Sequence, residues 1–307
     1  MGFRIATNVQ SLNAQRNLNI SNDMNNLAME KLSSGFRINK ASDDAAGLAI
    51  SEKLKADYRG LVMARRNASD GVSLIQTAEG GLNEIGNILS RLRELSVQGA
   101  SDTIGNIERG FLNKEFSQLK DEITRISKTT EFNGTLLLVG NQDNVPDEIK
   151  KRSNEYPLEI QVGKNFFESI DGKDQINPTD IIRIDLSNVN ATVDEEGLNL
   201  GTSEEDEKSS VNTKDHSQRS ISVIDDAITK VSGYRATMGA IQSRLNSTIN
   251  QLSIQAENNA ASNSRIRDTD FAEETAKLAQ TSILKQSGVA VLAQTNQTPA
   301  LAIRLLG

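Results

Sequence analysis

The chain has no cysteine, no tryptophan and a single histidine, His216. Without thiols there is no disulfide, no thiolate metal ligand and no cysteine nucleophile. One imidazole excludes a multi-histidine metal centre and the H-E-x-x-H zinc-peptidase motif. Aromatics are scarce, with eight Phe and three Tyr making 4% of the residues, so a core must be built from Leu, Ile, Val and Ala. Four prolines and 21 glycines among 307 residues are a lower share than in an average domain, so turns are few and elements long. An excess of basic charge is also missing. With 34 basic and 41 acidic residues the net charge is −7, which disfavours nucleic acid and anionic membranes as partners. No apolar run approaches the eighteen or so residues that span a bilayer, so no membrane insertion is expected. The first ten residues carry neither an apolar h-region nor a small-residue cleavage site, the marks of a Sec-type signal peptide. Composition alone reads as a cytoplasmic protein of about two domains.

What the chain has in abundance is a 3,4 alternation of apolar positions, the mark of helices that bury a narrow seam. It is clearest over 221–259, at Ile221, Ile224, Ile228, Val231, Arg235, Met238, Gln242, Leu245, Ile249, Leu252, Ala256 and Asn259, nine of which are apolar. Such a helix would be about 60 Å long at 1.5 Å per residue, too long for an ordinary globular helix. A second seam runs through Ile75, Ala78, Leu82, Ile85, Leu89 and Leu92, and a third through Leu112, Phe116, Leu119, Ile123 and Ile126. Ile50, Leu54, Tyr58 and Leu61 repeat the spacing upstream. The expected fold is mainly α: a long antiparallel coiled-coil-like helical bundle with a small β-region in mid-chain.

The β-region is read from Thr135–Val139, Leu158–Val162 and Ile181–Leu186, short branched segments flanked by polar clusters that include Asn133-Gly134. Pro146, Pro157 and Pro178 all fall within it. Asp194 to Asp215, including Glu204–Glu207, reads as an acidic solvated loop, with a calcium site as the less favoured alternative.

Both ends of the chain are unusual. Ile5, Val9, Leu12, Ile20, Met24 and Leu27 have helical spacing, yet seven asparagines lie between Asn8 and Asn26. At about 0.5 kcal/mol each relative to Ala they remove roughly 3–4 kcal/mol of helicity, so this helix needs packing partners. Ser33-Ser34-Gly35 reads as its stop. The last segment opens on Asp270 as an N-cap, three residues before Glu273. Its seam is alanine-rich: Ala272, Ala276, Ala279, Ile283, Gln286, Ala290 and Ala293. Phe271, Leu278, Leu284, Val289 and Leu292 add apolar surface elsewhere, and Pro299 is expected to end or kink it. End helices that are apolar on more than one side call for partners beyond their own chain.

Asn13-Ala-Gln-Arg-Asn-Leu18, Lys31-Leu-Ser-Ser-Gly-Phe-Arg-Ile-Asn39 and Ala41-Ser-Asp-Asp-Ala-Ala-Gly-Leu-Ala-Ile-Ser51 resemble the N-terminal region of bacterial flagellins. Ser264-Arg-Ile-Arg-Asp-Thr-Asp-Phe-Ala-Glu-Glu274 and Val291-Leu-Ala-Gln-Thr-Asn-Gln297 look like the matching C-terminal region. The resemblance implies paired terminal helices and a small β-hairpin region in mid-chain, and three parts: an inner terminal-helix domain (1–41 plus 268–307), a rod-like helical domain (42–140 plus 216–267) and a short variable outer region (141–215). It implies a structural subunit that polymerises into the flagellar filament for swimming motility, exported unfolded through the flagellar type III channel and assembled at the distal tip. That replaces the cytoplasmic expectation with an extracellular filament.

The implied partners are further copies of the chain, the filament cap, hook-associated junction proteins, an export chaperone and a host flagellin-sensing Toll-like receptor. Filament-core packing is assigned to Ile5, Val9, Leu12, Ile20, Met24, Leu27, Ala276, Ala279, Ile283, Ala290 and Ala293. Receptor contact is assigned to Arg91, Leu95 and Glu115, with Ser90 departing from the family's usual glutamine. A hook-filament junction protein is the alternative function. No catalytic residue, metal or cofactor is expected: His216 reads as an ordinary residue of a polar linker, and Asp43-Asp44 and Glu273-Glu274 as helix-start charges. The Asn-x-Ser/Thr triplets at Asn19, Asn67, Asn133, Asn190, Asn246 and Asn296 read as chance.

Overall fold

The computed structural model describes residues 8–140, 156–165, 179–201 and 209–305, with side chains as far as 297. In chain order these form α1 (Val9–Ser34), α2 (Ala45–Gly99), α3 (Asn106–Thr129), β1 (Glu131–Phe132), β2 (Thr135–Leu136), β3 (Leu158–Gln161), β4 (Ile181–Ile184), α4 (Lys214–Arg267) and α5 (Phe271–Leu305). They fall into two compact units, Met1–Tyr58 with Glu257–Gly307, and Arg59–Ala256.

In the second unit the apolar seams meet. Ile75, Ala78, Leu82, Ile85, Leu89 and Leu92 of α2 are fully buried, joined by Phe116 and Ile123 of α3 and by Ile224, Val231, Met238 and Leu245 of α4. Each such side chain contributes about 1.5–3 kcal/mol by leaving water. Two of the four expected seams share one helix. Ala45–Gly99 contains no proline, so the helical ladder runs on unbroken between Leu61 and Ile75. Likewise α4 extends the expected 221–259 at both ends, and His216 lies in its first turn rather than in a linker.

Asn133 and Gly134 both take positive φ, 52° and 81°, the turn that matches the twist of a two-residue hairpin. It pairs Phe132 with Thr135 and Glu131 with Leu136. β3 and β4 form a second antiparallel pair, Leu158 opposite Ile184 and Gln161 opposite Ile181. The Tyr156 hydroxyl donates to the Leu136 carbonyl, and burial pushes its phenol up to about 12.

The solvated loop expected from Asp194 is corrected by this core. Leu198, Leu200 and Val211 are fully buried in the same cluster as the helices, and Ser209 and Ser210 are buried beside them. The apolar residues there are few, yet Leu198 and Leu200 both turn inward. Gly197 N–H to Asp194 O and Leu198 N–H to Thr192 O hold those turns. Glu204–Glu207, Pro146, Pro178 and Ile5 lie outside the described residues.

In the first unit, side chains and turns mark the helix ends. The Asn8 side chain accepts from Ser11 N–H, and Gly35, at φ 73°, returns its N–H to Lys31 O. Asp44 Oδ1 accepts from Gly47 N–H at 2.8 Å and Asp270 Oδ1 from Ala272 N–H at 2.8 Å. Asp43 accepts from the Lys40 and Asn39 N–H groups, which hold its carboxyl below the usual range. Beyond these caps α5 continues through Pro299 to Leu305, so the proline does not end the helix. A proline removes one hydrogen bond from the ladder, and the rest of the ladder carries the helix on.

Candidate assembly surfaces

α1 and α5 lie antiparallel. Asn8 Nδ2 donates to Thr295 O at 2.8 Å, Ser11 Oγ to Asn296 Oδ1 at 2.7 Å and Asn25 Nδ2 to Thr281 Oγ1 at 3.1 Å. Buried and half-buried residues repeat at 3,4 spacing: Ser11, Ala14, Leu18, Ser21, Asn25, Ala28 and Leu32 on α1, Glu274, Leu278, Thr281, Gly288, Leu292 and Thr295 on α5. A Cβ added at Gly288 would sit 3.7 Å from Leu18 Cβ, so the helices approach closely there. This seam is mostly polar and small. It also buries Glu274 with its Oε1 unpaired and leaves Asn22 Oδ1 without a partner, each a cost rather than a gain.

Most of the other large apolar residues lie off this seam. Val9, Leu12, Ile20, Met24 and Leu27 are 41–57% exposed. At about 100° per residue they form a stripe on the side of α1 away from α5. Ala276, Ala279, Ile283, Ala290 and Ala293 are exposed as well, and by the same arithmetic they lie opposite the seam of α5. By this geometry these ten residues lie off the line along which the two terminal helices face each other. The residues that do meet, such as Asn25 with Thr281, escape an apolar-periodicity search because they are small or polar.

In the second unit, Arg91 donates to Glu115 Oε1 through Nε at 3.0 Å and Nη2 at 2.9 Å, and through Nη1 to Glu94 at 3.0 Å. These bonds, first Glu115 and then Glu94, hold its guanidinium above its ordinary value. Arg91 and Glu115 are therefore surface neighbours. Leu95 is not: it is 0% exposed and packs in the core with Leu89 and Leu92, which corrects its assignment as a contact residue. Among the described residues no group of three or more His, Cys, Asp or Glu could hold a metal ion, and no helix is long and apolar enough to cross a membrane.

The bacterial flagellin N-terminal helical region matches residues 5–143, and the bacterial flagellin C-terminal helical region matches residues 221–306. The chain belongs to the bacterial flagellins. The flagellin of Halalkalibacterium halodurans is 42% identical over 97% of this chain and 98% of its own length. That of Bacillus subtilis is 40% identical over 99% and 100%. A solved Vibrio parahaemolyticus structure described as a flagellar hook-associated protein shares the fold, with a TM-score of 0.55 at 16% identity over 74% of this chain and all of that one. Flagellins are the structural subunits of the flagellar filament, not enzymes, and the chain has that role. Both matched regions contain the terminal helices, so the flagellin signature and the outward apolar stripes occupy the same residues.

Proposed function

We propose that the stripe Val9, Leu12, Ile20, Met24, Leu27, continued by Ile5, and the stripe Ala276, Ala279, Ile283, Ala290, Ala293 pack between copies of the flagellin in the core of the filament. One observation carries this reading: in the single chain the terminal helices bury mostly polar and small residues against each other, while Val9, Leu12, Ile20, Met24, Leu27 and Ile283 stay exposed. Such a pair gains little from intrachain burial, and the free energy of covering its stripes becomes available only on assembly. The same asymmetry suits a chain exported unfolded through the type III channel and ordered at the distal tip. Ordering entropy is then offset by contacts to neighbours. Identical subunits joined by contacts that do not close give an open helical polymer.

In the filament the pair 1–41 with 268–307 is the inner part, 42–140 with 216–267 the helical shaft, and 141–215 the outward segment. The cap, the hook-associated junction proteins and an export chaperone are its assembly partners, and the filament lies outside the cell. For the receptor, the proposal narrows to the exposed pair Arg91 and Glu115.

Charged substitutions test the core reading. Ile20→Asp and Ile283→Asp are expected to abolish seeded filament growth while leaving the thermal unfolding of the second unit unchanged. Normal growth of both variants would contradict it. The fold shared with a hook-associated protein favours a junction protein as the second reading. A full chain that binds seed ends without elongating them would support it.

A further inference from the structure

Between α1 and α2, and between α4 and α5, two short connections run side by side. Arg37 N–H donates to Arg267 O at 2.7 Å and Thr269 N–H to Gly35 O at 3.0 Å, and Phe36 bridges antiparallel to Asp268. Arg37 Nη2 also donates to Ile266 O at 2.7 Å. At the centre is Arg267, the last residue of α4. Its guanidinium carbon lies 4.6 Å from the centroid of the Phe36 ring, and its Nη1 is 2.7 Å from Glu52 Oε1 on α2. Its Nε is buried without an acceptor. The group is thus placed by the ring and the carboxylate at the expense of one of its own donors.

We propose that Arg267 is the positioning residue that sets the register of the terminal helix pair. The α1–α5 seam has few large apolar residues, Leu18, Leu32, Leu278 and Leu292, to set register by burial. Leu18 faces Gly288, and sliding one heptad would bring it opposite Thr281 or Thr295 with little change in apolar area. The seam's register rests instead on a few polar contacts, chiefly the buried Asn25–Thr281 bond and, at the far end, Asn8 with Thr295 and Ser11 with Asn296. Arg267 adds a charged constraint at the near end, where none of those bonds reaches. A planar cation stacked on an aromatic face and paired with a carboxylate fixes two directions at once, and its own carbonyl holds the outgoing connection. With Phe36, Glu52 and Arg267 in place, only one alignment of α1 against α5 leaves both connections hydrogen-bonded. The proposal rests on the filament reading above, because register matters where every copy must present the same stripes.

The absence of native cysteine makes the register directly readable. In a Leu18→Cys/Gly288→Cys chain the Cβ separation of 3.7 Å matches that of a disulfide, about 3.8 Å. The offset pair Leu18→Cys/Thr281→Cys reports a slip of one heptad. Each chain is diluted about twentyfold into cysteine-free chain, grown on filament seeds and oxidised, and intrachain disulfide is read by mobility and mass. The 18–288 bond is expected to dominate in the Arg267 background. Adding Arg267→Ala should lower it several-fold and raise the 18–281 bond, and Phe36→Leu should do the same to a smaller degree. Arg267→Lys, which keeps the charge but loses the planar stack, should restore only part of the register. Unchanged 18–288 yield in both Arg267→Ala and Phe36→Leu would overturn the proposal. If cysteine-free chain fails to grow on seeds, the filament reading fails instead, and the disulfide ratio measured in the free chain still tests the register.

Discussion

At the scale of the residue, Leu95 and Arg91 separate two effects that a binding assay alone would merge. Leu95→Ala removes a fully buried side chain and is expected to destabilise the second unit by about 2–5 kcal/mol. Arg91→Ala removes only exposed pairs with Glu115 and Glu94 and should leave the unfolding midpoint in place while lowering receptor signalling. Calorimetry beside a signalling assay checks both, and signalling unchanged by Arg91→Ala would remove the receptor site. Helical phase already held the answer for Leu95, since it continues the inward series Leu82, Ile85, Leu89, Leu92. The surface assignment came from family resemblance and ignored that phase. Tyr156 gives a pH dependence. Its phenol moves from an ordinary 10 up to about 12 on folding, so the neutral form is favoured in the native state. The stabilisation is complete below pH 10 and is lost as pH rises through 12. Alkaline unfolding should steepen above pH 10, and Tyr156→Phe should flatten that limb.

At the scale of the element, the ends of helices carry more of the design than their lengths. Arg109, almost fully buried, donates to Gly99 O at 2.8 Å, Ser101 O at 2.9 Å and Asn106 Oδ1 at 2.9 Å. It satisfies the carbonyl at the end of α2 and the turn that leads into α3. Arg109→Met should cost about 2–3 kcal/mol through those lost bonds, seen as a lower denaturant midpoint with the helix content retained. The seams of α2, α3 and α4 were legible because Leu and Ile at 3,4 spacing have no other economical use. The hairpin was legible from Asn133-Gly134, and the caps from Gly35 and Asp270. The α1–α5 seam was not, because Ala14, Asn25, Thr281 and Gly288 carry no apolar signal. The buried turns around Leu198 and Leu200 were also hidden, since an acidic neighbourhood outweighed two leucines in any window average.

At the scale of the whole molecule, assembly must work against like charge. Each flagellin copy carries a net −7, and stacked copies repel over roughly 8–10 Å at moderate salt. Seeded growth should therefore quicken as ionic strength rises, and an opposite trend would place ion pairs, not apolar stripes, at the contacts. The central claim is that the terminal helices are completed by neighbouring copies. Its most direct test is seeded growth followed by negative-stain electron microscopy, with the full chain beside one lacking residues 1–35 and 272–307. Long filaments from the full chain and none from the trimmed chain are the predicted result. Filaments of equal length from the trimmed chain would contradict it.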